Sequence, residues 1–215
     1  MISTQARKEY IPAAGRRYFL PLYDPFTRLL GADRARKQLL DQANLHPSYR
    51  VLDLGCGTGT LAVQMKQHYP QVQIVGLDPD PDALKRARCK ADEASVSIQF
   101  DQGFADALPY DDASFDRVFS SFMFHHLQSS VKQGMLREVH RVLKPGGRLE
   151  LLDFGGPEPG THGLLSLFRS HKYLKENTRT RVTELLTEAG LADGRCTSQR
   201  TMFLFRITYY QANRG

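Results

Sequence analysis

From about residue 50 onward, short apolar runs alternate with segments whose apolar residues recur every three or four positions. The first kind of pattern predicts buried strands and the second amphipathic helices. Strands are expected near Arg50–Leu54, Gln73–Leu77, Ser97–Phe100, Arg117–Ser121 and Arg148–Asp153. Helices are expected over Thr60–Tyr69, Asp82–Ala94 and Val131–Leu143, the last ended by Lys144-Pro-Gly-Gly147, a strong stop signal. After a meander through Gly155-Gly-Pro-Glu-Pro-Gly160, a helix over Thr180–Ala189 is closed by Gly190, and two strands follow at Arg195–Arg200 and Thr201–Gln211. Strands alternating with helices in this way predict an α/β fold, a mostly parallel sheet with helices on both faces.

The N-terminal segment has a different pattern. Tyr10, Tyr18, Phe19, Tyr23 and Phe26 are interleaved with Arg16, Arg17 and Arg28, and Pro12, Pro21 and Pro25 interrupt any long helix until about Thr27. Leu29, Leu30, Ala35, Leu39, Leu40 and Ala43 then form a loose helical face that ends before His46-Pro47. One or two short helices ahead of the sheet are expected, with residues 1–44 as a cap on a core of 45–212 in a single domain.

Composition narrows the setting. With 215 residues and 41% hydrophobic content the chain is long enough to bury a real core. Three cysteines without C-x-x-C spacing suggest neither a disulfide framework nor a zinc site. The first ten residues lack the pattern of a secretory signal, and no run approaches the length of a membrane span, so a cytoplasmic setting is expected. A net charge of +6 permits an anionic partner, but the basic residues are spread along the chain.

Candidate chemistry begins where the first strand meets Gly55-Cys-Gly57-Thr-Gly59. Glycines on alternate positions turn the backbone sharply and leave no Cβ between it and a ligand. Gly57-Thr-Gly59-Thr-Leu-Ala62 also fits a dinucleotide fingerprint, with Asp78 near the place of its ribose-binding acid. Charge discriminates. Asp53 stands beside a loop with no Lys or Arg, an arrangement that repels a pyrophosphate and attracts a cation.

The run Leu52-Asp-Leu-Gly-Cys-Gly-Thr-Gly59 resembles the first motif of the class I S-adenosylmethionine-dependent methyltransferases. Gly76-Leu-Asp78-Pro, Ala107-Leu-Pro-Tyr-Asp-Asp-Ala-Ser-Phe-Asp-Arg-Val118 and Arg141-Val-Leu-Lys-Pro-Gly-Gly-Arg148 resemble further motifs of that family, in its order. Residues 45–212 are covered, and the broad ubiquinone-biosynthesis-like (methyltransferase type 11) group is the nearest likeness. The resemblance implies a Rossmann-like seven-stranded, mostly parallel sheet with an antiparallel C-terminal edge strand. It also implies S-adenosylmethionine as cofactor, leaving as S-adenosylhomocysteine. Asp53, Gly55, Cys56, Gly57, Asp78, Pro79 and Ser120 become cofactor-binding candidates, with Asp53 near the methionine end, Asp78 on the ribose hydroxyls and Pro79 against the adenine. Phe104 stands where the family usually has an acid or amide for the adenine amino group. It is expected to pack on the adenine while Asp106 makes the polar contact.

His125 and His126, just beyond the fourth strand, are the candidates for a proton acceptor, although methyl transfer gains much from alignment alone. Adjacent histidines do not converge on one ion, so no metal is expected. Tyr18, Tyr23 and Phe26, and the apolar stretch within 155–177, are candidates for lining or covering an acceptor site. The expected function is methyl transfer by in-line displacement to a small, partly apolar molecule, with no specific nucleic acid. An RNA or protein methyltransferase, and a cofactor-binding protein without turnover, are the alternatives.

Overall fold

The structure is a computed structural model, and it describes residues 27–156, 177–203 and 205–215. Tyr18, Tyr23, Phe26 and nearly all of the expected 155–177 cover lie outside these residues. In chain order the elements are α1 (Ala32–Ala43), β1 (Arg50–Leu54), α2 (Thr60–His68), β2 (Gln73–Asp78), α3 (Pro81–Glu93), β3 (Gln99–Gln102) and β4 (Phe115–Ser121). A 3-10 turn at Phe124–His126 leads to α4 (Ser129–Val142), β5 (Leu143–Phe154), α5 (Arg179–Glu188), β6 (Ala192–Met202) and β7 (Phe205–Asn213).

The seven strands form one sheet in the order β3-β2-β1-β4-β5-β7-β6. Pairs among β1 to β5 are parallel, and β7 is antiparallel to both β5 and β6. The C-terminal strand is thus the reversed one, and β6 takes the edge beside it. The order reverses at β1, between β2 and β4, which opens a crevice at the carboxyl ends of those strands.

Alternation along the strands divides the core in two. Val51, Ile74, Phe119, Leu152 and Tyr209 pack with α1, α2 and α3, whereas Leu52, Val75, Val118, Leu151 and Tyr210 pack with α4 and α5. Asp53 therefore lies on the α1 side and Asp153 on the α4 side. Leu39 on α1 is fully buried and contributes about 1.5–3 kcal/mol by burial. Polar contacts fix the pose of this helix: Arg148 donates to the Ala43 carbonyl at 2.8 Å, Gln42 to Glu150 at 3.1 Å and the Tyr209 hydroxyl to the Ala35 carbonyl at 3.2 Å.

Several boundaries differ from the sequence pattern, three of them for a visible reason. β3 runs from Gln99 to Gln102, because its register on β2 pairs Gln99 with Val75 and Gln102 with Asp78. β5 begins at Leu143, not Arg148. The Pro-Gly-Gly stretch bulges, with Gly146 at φ 73°, yet stays within the strand because the Gly146 amide bonds the Arg214 carbonyl and the Arg214 amide bonds the Gly147 carbonyl, each at 2.8 Å. The break between β6 and β7 falls at Phe203, with φ 55°, inside an apolar run that carries no turn chemistry.

Candidate active site

The glycine loop is held by its own backbone. The amides of Gly55 and Cys56 both donate to the Leu77 carbonyl, at 2.8 and 3.1 Å, and the Gly59 amide to the Cys56 carbonyl at 2.9 Å. The Gly57 amide donates to Oδ2 of Asp78 at 2.9 Å. These four amides are paired, so none of them remains to cradle a phosphate, and the loop meets a ligand by shape. Gly57 has φ 52°, and a Cβ built there meets nothing within 4 Å. Gly55, at φ 72°, is constrained from the opposite direction, since a Cβ would come within 2.5 Å of the Met123 side chain.

Side chains around the loop are sorted by burial. The Cys56 thiol lies in the core against Gly76, and burial pushes its pKa well above the ordinary value, so only its backbone belongs to the loop surface. Asp78 uses Oδ1 to accept from the Asp80 amide at 2.9 Å, and burial raises its pKa against the help of these two amides. Asp80 then caps α3 by accepting from the Asp82 amide, with Pro81 in the first turn. Pro79 follows on the same turn, its carbonyl receiving Gln102 Nε2 at 3.1 Å. Lys90 reaches the loop from α3, donating to Thr60 Oγ1 at 2.6 Å and Thr58 Oγ1 at 3.2 Å. A loop without cations in its own sequence thus has one docked by the fold.

Asp53 is buried, and neither carboxylate oxygen has a hydrogen-bond partner of good geometry among the described residues. Desolvation raises its pKa to about 7, opposed first by Arg36. Such an orphaned acid suits a cationic ligand group. The site's acidic residues, its paired loop amides and the open space at Gly57 fit S-adenosylmethionine, whose sulfonium and α-ammonium are positive, better than a dinucleotide.

Beyond β4 the chain bends through Phe122, a buried aromatic at φ 55°, a strained conformation for a residue with a side chain. Its amide is held by the Leu152 carbonyl at 2.9 Å. His125 follows in the 3-10 turn, with Nδ1 2.6 Å from Oδ1 of Asp153 and its amide donating to Oδ2 at 2.8 Å. Nε2 of His125 has no hydrogen bond among the described residues. The His126 ring lies against His125, with centroids 3.9 Å apart and planes tilted by 40°. Phe154 meets His125 edge-on at 5.0 Å and also contacts Phe122 and Phe205, at 5.2 and 5.6 Å, forming an aromatic wall beside the dyad.

Ser120 Oγ, near the end of β4, is buried and has no hydrogen-bond partner among the described residues. Phe104 and Asp106 belong to a tight turn closed by the Ala107 amide on the Phe104 carbonyl at 3.2 Å, and the Asp106 Cβ backs onto Gly134 of α4. No group of three or more potential metal ligands occurs among the described residues.

The sequence reading missed Asp153 and Arg36. Each carried a signal: Asp153 is an acid within a buried apolar strand, and Arg36 falls on the Ala32, Ala35, Leu39, Leu40, Ala43 stripe that α1 buries.

A family model described as Methyltransferase domain matches residues 51–147. The ubiquinone/menaquinone biosynthesis C-methyltransferase UbiE of Geobacter sp. strain M21 is 31% identical over 202 residues, 81% of this chain and 85% of that protein. The chain belongs to the class I S-adenosylmethionine-dependent methyltransferases, in the ubiquinone/menaquinone group. A demethylmenaquinone methyltransferase of Deinococcus radiodurans is 46% identical over 146 residues, 66% of this chain and 60% of that enzyme. The chain therefore matches about three fifths of that relative's length. Among solved structures, the [4+2]-cyclase SpnF has a TM-score of 0.71 at 20% identity, covering 85% of this chain and 80% of its own. That likeness shows the fold alone, and a cyclase on the same fold shows why function must be argued from the site.

Proposed function

We propose that this protein is an S-adenosylmethionine-dependent methyltransferase acting on a small, planar, partly apolar acceptor of the hydroquinone type. The observation that carries this reading is the His125–Asp153 dyad set against the Phe122–Phe154–Phe205 wall, next to a loop suited to a cationic cofactor. The names of the relatives support a quinone ring as acceptor and carbon as target.

When bound, S-adenosylmethionine supplies a methyl group made electrophilic by its sulfonium. Asp53, Gly55, Gly57, Asp78, Pro79 and Ser120 hold it, the first near the α-ammonium and Asp78 near the ribose hydroxyls. The residues of the chain then handle the acceptor. Asp153 accepts from Nδ1–H of His125, which leaves Nε2 as the basic nitrogen of the neutral ring. His125 takes the acceptor's hydroxyl proton at Nε2, raising electron density at the neighbouring ring carbon; when that carbon gains the methyl group its own hydrogen leaves as a proton, and the imidazolium returns the first proton to the ring oxygen. Asp153 stabilises the imidazolium that results, as a buried carboxylate does behind other catalytic histidines. Phe154 and Phe122 exclude water and fix the ring plane. His126 supports the His125 ring by packing against it at a tilt.

The described residues include no helix long and apolar enough to cross a membrane. A cytoplasmic, single-domain enzyme with residues 1–44 as its cap accords with this reading. Incubating the protein with methyl-labelled cofactor and a short-chain demethylated quinol tests it. Label is expected in the quinol product; label transferred only to RNA or protein would overturn the acceptor assignment, and no turnover with tight S-adenosylhomocysteine binding would support a binding protein.

A further inference from the structure

Among the described residues two large hydrophobic side chains stand exposed, Leu29 at 85% and Phe203 at 65%. The fold brings them to one tip. Met202 pairs with Phe205 at the end of the β6–β7 hairpin, and a Cβ built at Gly31 would lie 3.8 Å from Met202 Cγ, so the turn that carries Leu29 into α1 sits beside the turn that carries Phe203. Phe154, the last residue of β5, pairs with Ile207, which puts this tip beyond the carboxyl end of β5, on the same edge of the sheet as His125 and Asp153. Phe205 joins the tip to the acceptor wall through its contact with Phe154 at 5.6 Å.

Folding does not require Phe203. Its φ of 55° lies in the left-handed region, where Asn or Gly fits with less strain, and its ring is mostly in solvent. Such an aromatic costs stability in the free protein, and a surface that covers it offsets the cost. Charge indicates which surface. From Gly194 to Gly215 the chain has four arginines and no Asp or Glu. Arg200 and Arg206 flank the turn, both exposed, and Arg28 and Arg34 are exposed beside Leu29, where Asp33 is shared between Arg28 at 3.5 Å and Arg36 at 3.3 Å. Apolar side chains set among arginines suit the boundary between acyl chains and anionic headgroups. A second copy suits it less, since a two-fold axis would set arginines against arginines over far less apolar area than a stable dimer buries.

We propose that the Leu29–Phe203 tip and the arginines around it dock the enzyme on an anionic lipid bilayer with the acceptor wall turned towards the surface, so that a quinol with a long apolar tail is methylated at the headgroup level. The docking surface is independent of the acceptor; its use for a tailed quinol rests on the acceptor assigned above.

Sedimentation of the full chain with vesicles of phosphatidylcholine, and of phosphatidylcholine with phosphatidylglycerol, tests the surface without any acceptor. The wild type is expected to bind the anionic vesicles and to be released by salt. Leu29→Ser and Phe203→Asn should each weaken that binding by about tenfold, and Arg200→Gln and Arg206→Gln by about fivefold each. Because Asn suits the left-handed φ, Phe203→Asn should fold as well as the wild type and turn over a soluble short-chain quinol unchanged, while its turnover of a long-tailed quinol in anionic vesicles falls with its binding. Wild-type protein that ignores anionic vesicles, or Phe203→Asn that binds them equally well, would overturn the proposal. So would a dimer in solution that Phe203→Asn dissociates, which would assign the tip to a second copy. Vesicle binding that depends on Phe203, with neither quinol methylated, would support the surface and overturn the acceptor reading instead.

Discussion

Asp153 holds His125 at two points, through Nδ1 at 2.6 Å and through the backbone amide at 2.8 Å, so one buried carboxylate sets both the ring's orientation and the position of its turn. Both anchors lie on a central strand and the loop beside it, where packing leaves little freedom. Removing the carboxylate therefore affects proton transfer before it affects cofactor binding. Asp153→Asn, which retains size but offers Nδ1 a mixed donor and acceptor, is expected to lower kcat by about 10² while S-adenosylhomocysteine affinity changes little. His125→Gln should lower kcat similarly, and the double variant should be no worse than either single one, because the two residues act as one unit. Equal losses of kcat and cofactor affinity would assign the dyad to the scaffold.

Cofactor binding should depend on pH through Asp53. In the empty protein its pKa is raised to about 7, and a bound ammonium lowers it by favouring the carboxylate. Affinity for S-adenosylhomocysteine is therefore expected to rise with pH up to about 7, by at most tenfold per unit, and to level off until the ligand's own amino group deprotonates at higher pH. Calorimetry at several pH values, in buffers of different ionisation enthalpy, should register proton release on binding at pH 6.5 for the wild type and none for Asp53→Asn. A flat profile for the wild type would remove Asp53 from the site.

The same acid should cost stability when the site is empty. Its folded pKa lies above the ordinary 3.8, so its stabilising contribution is complete below that value and is lost as pH rises through about 7. At pH 8 the ionised carboxylate is buried with no hydrogen-bond partner of good geometry among the described residues. Asp53→Asn is expected to stabilise the ligand-free protein at pH 8 by on the order of 2–4 kcal/mol, with a much smaller gain at pH 4. Urea denaturation of both proteins at the two pH values measures the difference, and a gain independent of pH would assign it to packing.

Asp106 offers a prediction of a different kind. It backs onto Gly134 of α4, in the turn that follows β3, and Phe104 two residues earlier brings no polar group. If its carboxylate receives the adenine amino group, Asp106→Ala should weaken S-adenosylhomocysteine by about tenfold, the value of one hydrogen bond to a charged group. Phe104→Asp in that background should recover part of the loss. Unchanged affinity in Asp106→Ala would make the residue a brace for α4.

How much of this was legible beforehand follows from the range over which each feature is decided. Strand and helix periodicity, the glycine loop and the acid that ends β2 depend on neighbours within a few residues, and each element appears where the pattern places it, apart from its exact ends. The break between β6 and β7 was not legible, because Thr201-Met-Phe-Leu-Phe205 has no turn residue and pairing across the sheet alone decides where it bends. The site divides in the same way. Asp53, Asp78 and the histidines stand in recognisable local contexts. Asp153 meets His125 across 28 residues, Lys90 reaches Thr60 across 30, and Arg36 comes to Asp53 from a helix outside the alternating core. Local backbone preference determines which elements form, whereas the charges that meet in the crevice are set by how β1, β4 and β5 align and by which face of α1 is buried, and only the packed structure specifies either.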